Sequence, residues 1–237
     1  FFGMVGVVYA VLLAFLLKDQ FADIEKSPDK KQEPVVLTKA ITALLGNYYF
    51  WLILLMFAVP SIPGWAAKNW LPTLFGTNLK VDMAQAGPIA TITIAASSLA
   101  GVLMGGLFSD KWVQKNIRGR ILVSSIGLGL MIPSLLLLGW GSHAWQVIGA
   151  GLLFGFGYGM FDANNMPILC QFVEEKYRAT AYGIMNMAGV FSGALITSIL
   201  GKSKDAGNLG RDFGMLAVIV MIALLVQVKY LKPFQTA

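Results

Sequence analysis

The sequence predicts an all-α integral membrane fold with seven transmembrane helices, and three observations carry that reading. The chain of 237 residues is 57% hydrophobic, with a mean hydropathy of +0.69. Only 13% of its residues are charged, against about a quarter in soluble chains. Those charges are also clumped, because 1–17, 40–67, 83–109, 121–161, 179–201 and 213–228 contain no Asp, Glu, Lys or Arg. A helix rises 1.5 Å per residue and needs about 20 apolar residues to cross roughly 30 Å of hydrocarbon, so most of these stretches have spanning length.

Taken in order, residues 1–17 are apolar, with no initiating Met and no basic segment before them. They are expected to be the remaining part of a spanning helix rather than a signal peptide. Residues 18–39 carry five Lys and five acids with two prolines, a composition suited to a flexible linker. A short interfacial amphipathic helix is expected near 35–45. The second span begins near Asn47 and runs through an apolar stretch holding Pro60, Pro63 and Pro72. Proline removes backbone hydrogen bonds, which a membrane helix tolerates best where neighbours or a water-filled cavity satisfy the freed carbonyls.

A polar connection at 76–84 leads to a third span at 88–108. The fourth is 121–140, and Gly141, Ser142 and His143 form a tight turn into the fifth, 145–173. His143 reads as a solvated turn residue, not a metal ligand. The loop Glu174-Glu175-Lys176-Tyr177-Arg178 precedes a sixth span at 179–200, and a polar connection at 201–212 leads to the seventh, 213–230. Cys170 is the single cysteine, so an internal disulfide and a cysteine-clustered metal site are excluded. No metal or other cofactor is expected.

The net charge of +6 follows membrane topology and not a nucleic-acid footprint, because the basic residues lie between the apolar stretches. With the chain beginning outside, 13 Lys and Arg fall on internal segments and five on external ones. The positive-inside rule then places the C-terminus and the 18–39 stretch in the cytoplasm, as for a multi-pass protein of the plasma (inner) membrane. Gly101 and Gly105, then Gly151, Gly155 and Gly159, then Gly189 and Gly193 are spaced four apart, the spacing that lets membrane helices approach closely.

Asp162 is the one acid embedded between uncharged runs, with 41 uncharged residues before it and 11 after it. Ionisable groups inside a membrane are costly and face a cavity or a partner. On a continuous helix Gly155, Tyr158, Asp162, Asn165 and Met166 share a face, which puts a carboxylate, an amide and a phenol on one stripe. A carboxyl group in low-dielectric surroundings holds a proton more readily, so Asp162 is a candidate for coupling solute binding to H+. The competing reading is a structural carboxylate bonded to Asn164, Asn165 or a neighbouring helix.

A second cluster is Trp65, Lys68, Asn69 and Trp70. A lysine beside aromatics suits a sugar acid, with Trp covering the apolar ring face and Lys pairing the carboxylate. It equally suits an interfacial aromatic belt with a snorkelling lysine. Asn186 is a further polar candidate, either lining a cavity or bonding to helices. A convergent nucleophile and base is lacking, so an enzyme is not expected.

The segment from Gly105 to Arg120, GGLFSDKWVQKNIRGR, resembles the Gly-x-x-x-Asp-Arg/Lys loop of the major facilitator superfamily. Gly106, Asp110 and Lys111 match in spacing, whereas Arg118, Gly119 and Arg120 come about six residues later than the family pattern places its Gly and basic pair. The segment from Gly155 to Asn186 resembles helices ten and eleven of the same superfamily: a glycine-rich helix, a proline, a short charged loop, then Arg-Ala-Thr-Ala-x-Gly-x-x-Asn. Trp70-Leu71-Pro72-Thr73 is more weakly similar to the anion:cation branch of sugar-acid and organic-anion symporters.

The resemblance implies that the seven spans correspond to helices six to twelve of a twelve-helix transporter. Residues 1–17 would then be the last helix of the N-terminal half, 18–46 the interdomain linker, and 47–237 the C-terminal six-helix bundle, whose partner is the missing N-terminal half. It implies secondary active transport of a small polar solute in the lipid bilayer, and the embedded acid Asp162 makes H+ the expected coupling ion. It also implies a gating latch of Asp110 against the start of the helix after Arg178, with Gly106, Lys111, Arg118 and Arg120 in the same motif. Trp65, Lys68, Asn69, Tyr158, Asn165 and Asn186 are the candidate substrate ligands. The alternative is a seven-helix membrane receptor or sensor, against which stand the charged stretch after the first span and the lack of a lysine deep in the last span to hold a retinal.

Overall fold

The computed structural model describes residues 2–16, 36–141 and 143–233. These form two compact units, 1–36 and 37–237. The first holds one apolar helix, α1 (Phe2–Leu16), about 22 Å long and so shorter than a full crossing. The charged stretch 18–35 expected to be a linker lies outside the described residues.

The second unit opens with α2 (Leu37–Leu45), which covers the expected interfacial helix. Its Ala40 and Leu44 are buried, so α2 packs as part of this unit, which begins at Leu37. Six helices long and apolar enough to span a membrane follow: α3 (Tyr48–Leu79), α4 (Met83–Val113), α5 (Gly119–Trp140), α6 (Ala144–Asp162) continued by the short α7 (Asn165–Cys170), α8 (Arg178–Asp205) and α9 (Leu209–Tyr230).

Two connections are tighter than the sequence suggests. The polar 76–84 stretch is helical up to Leu79, and the turn is confined to Lys80, in the left-handed conformation, and Val81. Asp82 then caps α4 by accepting the Gln85 N–H at 3.0 Å. Likewise α8 continues to Asp205, so that Lys202 and Lys204 sit in its last turn, where cations offset the negative end of the helix dipole. Polarity alone marked both segments as loops, but helix ends leaving the apolar layer stay helical while their side chains reach water.

The larger correction concerns the fifth span. It is not one helix from 145 to 173: a turn at Ala163 and Asn164 separates α6 from α7. Asn164 is fully buried and donates to the Met160 carbonyl at 2.9 Å, supplying locally a donor that the interrupted ladder lacks. By contrast, α3 runs unbroken through its three prolines.

The bundle is held by close helix approach. α4 packs on α6 through Gly101, Gly105, Gly155 and Gly159, and α5 on α6 through Gly127 and Gly157. A methyl group at Gly159 would sit 2.8 Å from the Val102 backbone nitrogen, and one at Gly105 2.7 Å from the Met160 Cα. Only glycine permits such backbone contact. Gln227 of α9, 1% exposed, donates to the Ile121 carbonyl and to the hydroxyls of Ser124 and Ser125 at 3.1–3.2 Å.

Candidate functional site

The α3–α8 interface sets the geometry of the site. Its contacts recur along both helices: Phe57 and Ser61 face Gly189, Trp65 faces Gly193, and Trp70 faces Gly201. The Trp65 ring lies flat enough on α8 that a Cβ at Gly193 would come within 2.5–2.6 Å of three ring atoms. Asn69 donates to the Thr197 hydroxyl at 2.8 Å, and the Trp70 indole N–H donates to the Thr197 carbonyl at 3.2 Å. Asn69 is thus engaged in holding helices together.

Lys68 is exposed, one turn beyond Gly64. Its Nζ stands 4.9 Å from the centroid of the Trp65 ring, within cation–π range. It also lines a cleft of about 350 Å³ between α3 and α4, walled by Leu71, Pro72, Ile94 and Ala95 with Thr91 and Ser98 as polar members. Pro72 has no N–H, so the Lys68 carbonyl loses its usual i+4 donor at the same wall.

Across from α3, Tyr158 of α6 projects its ring onto Gly64. A Cβ there would lie 2.7 Å from the ring Cζ and 2.8 Å from the hydroxyl oxygen. Phe154 stacks on Tyr158 at 6.0 Å, and Phe161 tilts against it at the same distance. One turn on, Asp162 ends α6 and accepts a hydrogen bond from the Asn165 amide at 3.2 Å. Asp162 and Lys68 are not paired with each other among the four ion pairs of the described residues. Lys68, one turn beyond Gly64 on α3, and Asp162, one turn beyond Tyr158 on α6, thus lie on the two helices that meet at the Gly64–Tyr158 contact.

Lys68 meets Trp65, Tyr158 meets α3 at Gly64, and Asp162 meets Asn165 even though the helix breaks at 163–164, because the turn brings Asn165 back onto Asp162. Asn186 stands apart, exposed and donating to the Tyr182 carbonyl of its own helix at 2.9 Å. Gly64, the residue that admits the Tyr158 ring, was not singled out in the sequence. A glycine one residue after Pro63 was its only signal.

At the bundle end carrying the 105–120 motif, Asp110 pairs with Arg120 at 2.9 Å. This pairs it with the first turn of α5. Arg178 instead donates to the carbonyls of Cys170 and Val173 at 3.2 and 3.3 Å, closing the C-terminal end of α7. Arg118 donates to the Val228 carbonyl of α9. Gly119 is packed so closely that a Cβ would meet the Val113 nitrogen at 2.5 Å, so the six-residue extension ends in a compact turn. Gly106 has open space around it.

Comparison with known proteins gives this architecture its relatives. Residues 1–197 match the family model of the Major Facilitator Superfamily. The chain is 26% identical over 205 residues to the Membrane sensor protein UhpC of Escherichia coli (strain K12), an alignment covering 85% of this chain and 44% of that protein. The chain thus spans less than half the length of that relative. With six span-length helices and a family match over most of its residues, the chain is a multi-pass membrane protein that belongs to the Major Facilitator Superfamily.

Proposed function

We propose that this chain supplies the C-terminal six-helix half of a secondary active transporter that moves a small organic anion, such as a sugar acid, by alternating access coupled to H+. The observation that supports this reading is that Lys68 and Asp162 each lie one helical turn from the contact between Gly64 of α3 and Tyr158 of α6. A lysine beside an indole face and a largely apolar cleft suits one carboxylate on a compact body. Asp162, which belongs to no ion pair among the described residues, is the carboxylate this reading assigns to carrying the proton. Transporters of this kind place their site between two halves and rock one against the other. On this reading 1–17 is the last helix of the preceding half, 18–46 the linker, and the C-terminus lies on the cytoplasmic side of the inner membrane. Trp65 and Tyr158 shape the site, while Asn165 orients Asp162.

The test is uptake of labelled sugar acids by the full transporter in proteoliposomes, with binding measured alongside. Lys68→Ala is expected to weaken uptake of the anion at least tenfold and leave any residual uptake of the matching neutral sugar unchanged. Asp162→Asn is expected to abolish stimulation by an inward H+ gradient while preserving binding. Gradient-driven uptake that survives Asp162→Asn would remove the coupling role. Because the relative is named a membrane sensor, saturable binding with no flux would assign this site to sensing instead.

A further inference from the structure

At the bundle end that carries Asp110, α4 and α5 part around a second cleft, of about 420 Å³. Its wall is apolar, formed by Phe108, Val123, Ile126 and Met160, and Lys111 and Lys115 stand at its rim beside Trp112. Phe108 is 49% exposed, Ile126 46% and Trp112 39%, over a floor of buried Val123 and Met160, so the cleft has open greasy sides on a packed base. Both lysines are exposed, and neither belongs to an ion pair among the described residues. The neighbouring carboxylate, Asp110, is held by Arg120 at 2.9 Å.

Two unpaired ammonium groups over an aromatic and aliphatic wall, at the end of a membrane-spanning helix, form an amphiphilic receptor. The cations want a compact anion, and the wall wants hydrocarbon. The geometry points to a binding site for an anionic glycerophospholipid, its phosphate between Lys111 and Lys115 and its acyl chains along Phe108, Val123 and Ile126. A free phosphate ion would use the rim and leave the wall wet, which is why the lipid is the occupant. Trp112 sits at the junction of the two zones, the position that indole favours at a membrane surface. This site is separate from the Lys68 and Asp162 cluster, and its occupancy does not depend on what that cluster transports.

Quenching of Trp112 tests the site directly. The full chain is reconstituted in phosphatidylcholine vesicles containing brominated phosphatidylglycerol or, in parallel, brominated phosphatidylcholine. The Trp112 signal is taken as the difference between the native chain and Trp112→Phe. Phosphatidylglycerol is expected to quench Trp112 with about tenfold higher apparent affinity than phosphatidylcholine, in keeping with two cations at the surface. That preference should fall to parity in Lys111→Gln/Lys115→Gln and persist in Lys111→Arg/Lys115→Arg, which also shows that the substitutions leave the end of α4 folded. Equal quenching by both lipids, a preference that survives the double Gln variant, or one lost in the double Arg variant would overturn the proposal. So would displacement by millimolar inorganic phosphate, which would mark a free-anion site, or no quenching by either lipid, which would mean that protein covers the cleft.

Discussion

Arg120 Nη2 lies 2.9 Å from Asp110 Oδ1 and so fastens the last turn of α4 to the first turn of α5. The extended turn between them brings the arginine back to the acid that precedes it by ten residues. Asp110 is 64% exposed and Arg120 25%, so water and salt compete for the pair. Exposed pairs contribute about 0.2–1 kcal/mol. Asp110→Asn and Arg120→Gln are each expected to lower thermal stability by no more than that, and the double variant no further than either single one. The difference should shrink between about 0.01 and 1 M salt as the Debye length falls from roughly 30 to 3 Å. A double-mutant cycle on melting temperature reads all three outcomes.

The glycines separate into two classes that substitution should tell apart. A Cβ at Gly155 would meet the Ile94 carbonyl oxygen at 2.8 Å and the Ile94 Cα at 3.2 Å, and one at Gly127 would meet the Gly157 carbonyl at 2.5 Å. These neighbours are backbone and cannot swing aside. Gly155→Ala and Gly127→Ala are expected to destabilise by about 1–3 kcal/mol, the range for overpacking. At Gly149 and Gly183 nothing lies within 4 Å, and both are inside helices. There Ala should be neutral or stabilising by up to about 1 kcal/mol through helix propensity. Thermal unfolding in detergent of the four variants decides it.

Those two classes also show where the sequence is legible. Spacing by four flags Gly101, Gly105, Gly155 and Gly159 as contact residues because helical geometry repeats at that interval, and their backbone contacts follow from it. The six long spans are legible for the same reason: hydrocarbon thickness translates directly into uncharged length. Helix breaks are less so. In the run from Ala144 to Cys170 the turn at 163–164 is marked by Asn164, Asn165 and Pro167, whose missing N–H frees the Ala163 carbonyl, yet α3 runs unbroken through three prolines, so these residue types alone do not place a break. Partner choice is equally hidden, since Asp110 has several cations within reach along the chain and only the fold of 114–119 selects Arg120. Lys68 and Asp162 are 94 residues apart, and whether they serve one site depends on how α3 meets α6.

Gln227 offers a test of how much a buried amide contributes inside the bundle. It donates to one carbonyl of α5 and two hydroxyls on the same helix, and it is 1% exposed. Water-based reasoning would assign about 1–3 kcal/mol to leaving such acceptors bare. Within a membrane, interhelical hydrogen bonds average only about 0.6 kcal/mol, with a maximum near 1.7. The serines retain local options as well: Ser125 already donates to the Ile121 carbonyl at 2.7 Å. Gln227→Leu is therefore expected to cost about 1 kcal/mol, and Gln227→Asn, too short to reach α5, at least as much. A loss beyond about 3 kcal/mol on reversible unfolding would mean that the network is cooperative rather than three separate bonds.

Trp65 links helix packing to the proposed ligand site, and Gly193 is the residue that controls it. The indole is pressed onto α8 where a Cβ would lie within 2.5–2.6 Å of three ring atoms. Its π face meanwhile lies 4.9 Å from the Lys68 ammonium. Gly193→Ala must therefore push the ring away from α8, and it moves the surface against which Lys68 rests. Trp65→Phe at the same position shortens the ring and relieves the clash but weakens the cation–π contact, since Trp is the best partner for it. Gly193→Ala should thus lower both thermal stability and anion affinity. Trp65→Phe should restore stability when added to Gly193→Ala without restoring affinity. If affinity recovers together with stability in the double variant, Trp65 acts only as packing and its ring has no part in holding the anion. Binding isotherms and melting curves on the three variants separate the two roles.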